Sequence, residues 1–199
     1  MTRSNTSAST GGHSTDGTST QGSPVPRRVE PDGPDLVAAT RARLLAATRW
    51  RHGRIATLWW WTDARLLRLL GPGLAALWTG PPPTVVVGVQ SSGYLLAPLV
   101  ATRLGVGMFG VQQRPGPDGT TLAAESDAIG PGDRVLLVDD IAETAEQIAA
   151  VRDLITHYGA TWLGASVMVA YRDWPELGIN ALASIHDLPR SEPGYAERS

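Results

Sequence analysis

Residues 134–147 read R-V-L-L-V-D-D-I-A-E-T-A-E-Q, placing an unbroken Val/Leu run directly before two adjacent carboxylates. Few folds accommodate that order. Val135 to Val138 leave no polar position for a solvated face, which predicts a short strand buried on both faces of a parallel sheet covered by helices. In open α/β sheets ligands bind beyond the carboxyl ends of the strands, and Asp139 and Asp140 fall there. A helix is predicted from near Glu143. Its first turn offers unpaired N–H groups and the positive end of a dipole, suited to phosphate. Carboxylates are pure acceptors, suited to a sugar diol or a metal-bound phosphate ester. Together these features describe a ribose-phosphate site.

Two other readings compete. A Val/Leu strand ending in two acids also opens phosphate-receiver signalling domains, but those need a third Asp, a Lys and a longer chain after this point. This chain contains no lysine, and all its basic residues are Arg. The plainer alternative is a strand end that solvates two acids and caps a helix.

Composition bounds the rest. Residues 1–33 are rich in Ser, Thr and Gly with few apolar side chains, too little to offset the entropy of ordering, and are expected to form a disordered tail. Residues 34–190 are the size of one domain with a full core, followed by a flexible C-terminus over 191–199. A net charge of −2 and a pI of about 6.1 supply no basic field, which disfavours nucleic acid as a partner. The absence of cysteine removes thiol chemistry and disulfides. No apolar run reaches the length of a membrane span. A cytoplasmic location is expected, with no membrane partner.

An amphipathic helix is predicted over Asp35 to Trp50. Ile55 to Trp61 reads as extended and Ala64 to Leu70 as helical, with Gly71-Pro72-Gly73 as a break. Trp59, Trp60 and Trp61 cannot share one face of a strand, so one of them packs a second layer or offers a stacking surface for a flat ligand. Thr84 to Val89 predicts a buried strand, and Gln90-Ser91-Ser92-Gly93 a turn opening a helix from Tyr94 to Leu104. A strand over Gly107 to Val111 leads into a long irregular loop, Gln112 to Asp133. Further strands are expected over Ala160 to Ala170 and Ala181 to His186. This order implies a mainly parallel sheet with right-handed crossovers.

Taken together, four segments resemble the type I phosphoribosyltransferases, most closely their orotate branch. Asp139, Asp140, Ile141 and Thr144 match the family's acid pair and phosphate loop. V-V-V-G-V-Q-S-S-G, with Gly88 and Gly93, is similar to its pyrophosphate loop. G-R-I-A-T-L-W-W-W-T-D-A-R-L-L resembles the hood, placed at about residues 50–70, and V-M-V-A-Y-R-D-W-P-E-L-G the closing strands. The resemblance implies an α/β phosphoribosyltransferase fold with a small hood. It also implies transfer of a phosphoribosyl group from phosphoribosyl pyrophosphate to a small heterocyclic base, with Mg2+ bridging pyrophosphate and ribose, and a homodimer. Asp139 and Asp140 would hold the ribose and touch the metal only through the ligand. Glu143 stands where a related branch carries a catalytic acid, and Arg114 is the cation nearest the basic loop. Thr144, Ala145, Glu146 and Gln147 would form the phosphate loop. Gln90, Ser91, Ser92 and Gly93 would meet pyrophosphate, and Arg54 and Trp60 the base.

The chain departs from the pattern in several places. Gln112 and Gln113 stand where the orotate branch carries Arg and Lys, Gly116 where it carries a second Lys, and Asp118 where it carries His. Ala145 replaces a Gly, which matters if the position requires positive φ. Glu146 adds a carboxylate that, about 5 Å from phosphate, costs roughly 3 kcal/mol at an effective dielectric near 20. A catalytically inactive relative that binds a nucleotide or nucleobase for regulation or protein interaction is therefore the second functional expectation.

Overall fold

The computed structural model describes residues 34–116, 119–123 and 128–189. The tail expected over 1–33 and the C-terminus over 191–199 lie outside the described residues. Helix α1 (Pro34–Ala47) leads into a small hairpin of β1 (Trp50–Arg51) and β2 (Arg54–Ile55). Helices α2 (Leu58–Thr62) and α3 (Ala64–Ala76) follow. The main alternation then runs β3 (Val85–Val89), α4 (Ser92–Leu104), β4 (Gly107–Gly116), β5 (Gly119–Ala123), β6 (Arg134–Ala142), α5 (Glu146–His157), β7 (Thr161–Ala170) and β8 (Ile179–Ser184).

Six strands form one sheet in the order β5-β4-β3-β6-β7-β8. All neighbours are parallel except β4 and β5, which pair antiparallel. The expected mainly parallel α/β sheet is therefore what the chain builds. Val85, Val87, Val135 and Leu137 face α5, packing with Ile148, Val151 and Ile155. Val86 and Val138 face the opposite layer, where Leu44 of α1, Leu66, Leu70 and Leu74 of α3, and Leu96 and Val100 of α4 pack. Both faces being dry is why β3 and β6 carry hardly any polar side chains.

Four local expectations are corrected. The Trp59–Trp61 segment is helical, not extended, so the three rings splay around α2 rather than alternating across a strand. Trp60 points inward and is fully buried, its Nε1–H donating to Thr48 Oγ1 at 3.1 Å. A ring sealed in the core cannot stack on a base, so the substrate role expected of Trp60 does not hold. The Gly71-Pro72-Gly73 break is also absent, because α3 runs straight through it. A Cβ at Gly71 would stand 2.6 Å from the Leu99 carbonyl oxygen, and one at Gly73 would collide with Thr40. These glycines let α4 and α1 approach α3 closely, and that packing outweighs the cost of Pro72 within the helix.

The long loop, thirdly, is over residues 112–116 and 119–123 an extension of β4 and its hairpin partner β5, with Gln112 opposite Ala123 and Arg114 opposite Thr121. Finally, β6 does not stop before the acids. It continues to Ala142, because β7 pairs with it as far as Ala170, and α5 begins only at Glu146. At the start of α3, the Asp63 carboxylate accepts from the N–H groups of Arg65 and Leu66 at 3.0 and 2.9 Å and pairs with Arg43. That cap, with the Arg43 guanidinium first among its causes, holds the Asp63 carboxyl below the usual carboxylate range. It ties the α2–α3 junction to α1.

Candidate functional site

Strand β6 is held by β3 on one side and β7 on the other, and the backbone of Asp139 lies opposite Val167. The Asp139 side chain is therefore drawn into the sheet end, with 6% of its surface exposed. Burial, reinforced by the neighbouring Asp140 carboxylate, pushes its pKa up to about 8. Asp139 is thus largely protonated at neutral pH, a donor as well as an acceptor. Its Oδ1 accepts from the Asp140 N–H at 2.9 Å, and Asp140 Oδ1 accepts from the Ile141 N–H at 2.8 Å. Asp140 is half-buried and is the member of the pair that meets solvent.

Past Ala142 the chain turns through Glu143, Thr144 and Ala145 into α5. Glu143 and Thr144 are exposed, and Thr144 Oγ1 accepts from the Glu146 N–H at 3.4 Å. Ala145 adopts φ 59°, the left-handed conformation that favours glycine. Its methyl group nevertheless lies in the core cluster that contains Ile148 and Ala142. Restoring glycine relieves about 1 kcal/mol of backbone strain but removes about 0.8 kcal/mol of buried methyl. Ala145→Gly is therefore expected to shift unfolding free energy by less than about 1 kcal/mol in urea titrations. A gain of several kcal/mol would show that the methyl is not supported by packing. Glu146 is exposed, so solvent screens most of its repulsion of a phosphate.

The end of β3 approaches the acid pair through two glycines. A Cβ on Gly88 would collide with the Gly93 carbonyl, and one on Gly93 would lie 3.1 Å from the carbonyl oxygen of Val138, the residue before Asp139. Gly93 thus brings the Gln90–Gly93 turn against β6. The peptide bond between Gln90 and Ser91 is cis. Gln90 and Ser91 are exposed and Ser92 half-buried. Gln90 Oε1 accepts from the Gln113 N–H at 3.3 Å, tying the turn to β4.

A cleft of about 360 Å³ opens between the β1–β2 hairpin and the end of β6, bordered by Arg54, Ile55, Thr57, Ile141, Glu143 and Tyr171. Tyr171 follows β7 and its N–H donates to the Ala142 carbonyl at 3.0 Å. The sequence reading missed Tyr171, although the rule that picked Asp139 applies equally to the first residue past β7.

Arg114 does not join this cleft. It borders a separate hollow of about 390 Å³ with Tyr94, Met108 and Gln112, and its guanidinium donates to Gln112 Oε1 at 3.0 and 3.3 Å. The side chain expected to replace the basic loop is thus committed to a neighbour on its own strand. Among the described residues no group of three or more His, Asp or Glu side chains is placed to hold a metal ion. None of the helices among the described residues is long and apolar enough to cross a membrane.

Residues 79–176 match the phosphoribosyl transferase domain family. The adenine phosphoribosyltransferase of Gluconobacter oxydans is 34% identical over 129 residues, covering 58% of this chain and 67% of that protein. Its counterpart in Maricaulis maris is 34% identical over 131 residues, covering 58% and 72%. Among solved structures, adenine phosphoribosyltransferase of Rhodothermus marinus superposes with a TM-score of 0.64 at 23% identity, covering 74% of this chain and 99% of that one. The Trypanosoma brucei enzyme, in complex with AMP, pyrophosphate and ribose-5-phosphate, superposes with a TM-score of 0.66 at 14% identity over 80% of this chain and 87% of its own.

Proposed function

The chain belongs to the phosphoribosyltransferase family, and on that footing we propose that it transfers a phosphoribosyl group from phosphoribosyl pyrophosphate to a ring nitrogen of a small heterocyclic base. The observation that carries the reading is the convergence of three sequence-distant segments at one end of the sheet. These are the acid pair of β6, the Gly88–Gly93 turn against Val138, and the cleft under the hairpin. Adenine is the first base to test, because it names the relatives found by sequence. Those relatives support the family expectation without supporting its orotate branch.

Each segment has a task. Asp140 accepts a ribose hydroxyl, and protonated Asp139 can accept or donate to the other. Thr144 and the first N–H groups of α5 face the 5′-phosphate. The Gln90–Gly93 turn holds pyrophosphate. The base nitrogen bonds to the anomeric carbon as the bond to the pyrophosphate oxygen breaks, the electron pair leaves with pyrophosphate, and the proton that the base loses passes to solvent. The protein contributes mainly by fixing this alignment and excluding water. Magnesium would supply charge neutralisation for the departing pyrophosphate. Asp139 is buried and its pKa is raised, so the fit is to an ion carried by the ligand, with the half-buried Asp140 as the carboxylate beside it.

Calorimetric titration with phosphoribosyl pyrophosphate and Mg2+ tests the reading. A Kd near or below about 10 µM is expected, weakened roughly 10- to 100-fold by Asp140→Asn through loss of a charge-assisted hydrogen bond. No heat at millimolar ligand would sink the transferase and leave a non-catalytic binder. Arg114→Ala should leave that affinity within about twofold, since its guanidinium is paired with Gln112 outside the cleft.

A further inference from the structure

The β1–β2 hairpin that borders the cleft is only two residue pairs long, Trp50 opposite Ile55 and Arg51 opposite Arg54. A two-stranded hairpin that short does not hold its own position in water, so its place over the cleft comes from what it is tied to. Two ties stay within the neighbouring chain. The Ala56 N–H donates to the Arg49 carbonyl at 2.9 Å, and the Arg51 guanidinium lies 5.7 Å from the centre of the Trp59 ring. A third reaches the far end of the domain, where the Trp50 indole N–H donates to the carbonyl of Pro189, beyond the last strand.

The segment that carries Pro189 is itself fastened. Strand β8 ends at Ser184, which opens a single 3-10 turn over Ile185–Asp187. Ser184 Oγ accepts from the His186 N–H at 3.3 Å, and the Asp187 carboxylate accepts from the Ser184 N–H at 2.8 Å. This reciprocal cap fixes the direction in which the chain leaves the sheet. The other Asp187 oxygen pairs with Arg41 of α1 at 3.1 Å. Leu188 is buried in the cluster that holds Leu44 and Trp60, with Trp50 and Ile55 packed against it. Residues 185–189 are thus pinned to α1 and the core, and Trp50 is bonded to them. Its hairpin partner Ile55 lines the cleft. We propose that residues 185–189 are a strap that sets the position of the hairpin over the cleft, and that Trp50 is the positioning residue through which the strap acts on a bound base. This rests on the phosphoribosyl reading of the cleft and adds to it what holds the base end in shape.

The test uses product and product fragment, so it does not depend on turnover. Trp50→Phe keeps an aromatic ring on the core and removes the N–H donor. Arg41→Met keeps the aliphatic stem and removes the ion pair with Asp187, leaving the Ser184–Asp187 cap in place. The full chain, these two variants and the double variant are titrated calorimetrically with ribose 5-phosphate and with AMP, after circular dichroism has confirmed that each is folded. Ribose 5-phosphate reports the groups on β6 and the turn before α5, which none of the strap's bonds involves. The gain of AMP over it reports the base. In the parent that gain is expected to be about 10- to 100-fold. Trp50→Phe should cut it about 3- to 10-fold and Arg41→Met about threefold, with ribose 5-phosphate affinity within about twofold throughout. The double variant should match Trp50→Phe, because a strap already parted from the hairpin has nothing further to lose. Two merely stabilising contacts would leave the gain unchanged in a folded protein.

An AMP gain that survives Trp50→Phe would overturn the strap while leaving the sugar-phosphate site standing. So would losses that multiply in the double variant, which would make Arg41 and Trp50 independent. A parent that binds AMP no more tightly than ribose 5-phosphate would overturn it as well, since the hairpin would then hold no base. Failure of ribose 5-phosphate itself to bind would overturn the underlying reading, and this inference with it.

Discussion

Gly88→Ala should destabilise the protein by about 3 kcal/mol and abolish ligand binding at the acid pair. Gly88 lies in β3 between β4 and β6, with Gly110 and Val138 as its backbone neighbours. A methyl group there collides with the carbonyl of Gly93, a backbone atom in the first turn of α4. The strand cannot retreat, because it is hydrogen-bonded on both sides. The helix therefore has to lift, and it carries the Gln90–Gly93 turn away from β6. For a domain of this size each kcal/mol shifts the melting midpoint by roughly 2–4 °C, so a drop of roughly 6–12 °C is expected. Gly107→Ala is the control, since a Cβ there meets nothing within 4 Å. It should stay within about 0.5 kcal/mol. A Gly88→Ala protein as stable as the control would show that the strand–helix contact is looser than described.

Stability should fall as pH rises from 6 to 8. Folding raises the Asp139 pKa from 3.8 to about 8, with burial the larger cause and the Asp140 charge the second. Between those values the folded state keeps a proton that the unfolded chain releases. The folded state therefore binds more protons, and raising pH through this window favours unfolding. An isolated group with such a shift loses about 1.4 kcal/mol per pH unit. Because Asp139 shares its site with Asp140, about 1 kcal/mol per unit is expected, or roughly 2 kcal/mol between pH 6 and 8. Asp139→Asn keeps an oxygen for the Asp140 N–H and removes the titration. The variant should lose this slope and melt higher than the parent at pH 8. All other titratable groups are common to both proteins, so the difference between the two profiles isolates Asp139. Parallel urea profiles from pH 6 to 8 would contradict a buried, protonated Asp139.

Much of this architecture is legible along the chain because the signal is local. A short Val/Leu run with no polar position, as in Val135 to Val138, fits a strand covered on both faces. The residues that follow such a strand are then at its carboxyl end, the edge where α/β sheets bind ligands. That reasoning located Asp139, Asp140 and the Gln90–Gly93 turn and gave the mainly parallel sheet. Where it failed, the deciding contacts came from distant residues. Gly71, Pro72 and Gly73 look like a helix stop, yet Thr40 and Leu99 make them a close-packing surface. Trp60 looks available to a ligand until Thr48 of a neighbouring element takes its N–H. Arg114 looks like the free cation of the site until Gln112, two residues away on the same face of β4, claims it.

The sequence by itself determined which segments are strands with dry faces and which polar residues sit at their ends, since hydrophobic periodicity and turn chemistry act over a few residues. Only the tertiary structure decided which of those polar residues share a cleft, that Asp139 is buried while Asp140 meets solvent, and that Arg54 and Glu143 border one cleft. Those outcomes depend on burial and on distances between segments far apart in the chain, and no local pattern encodes either.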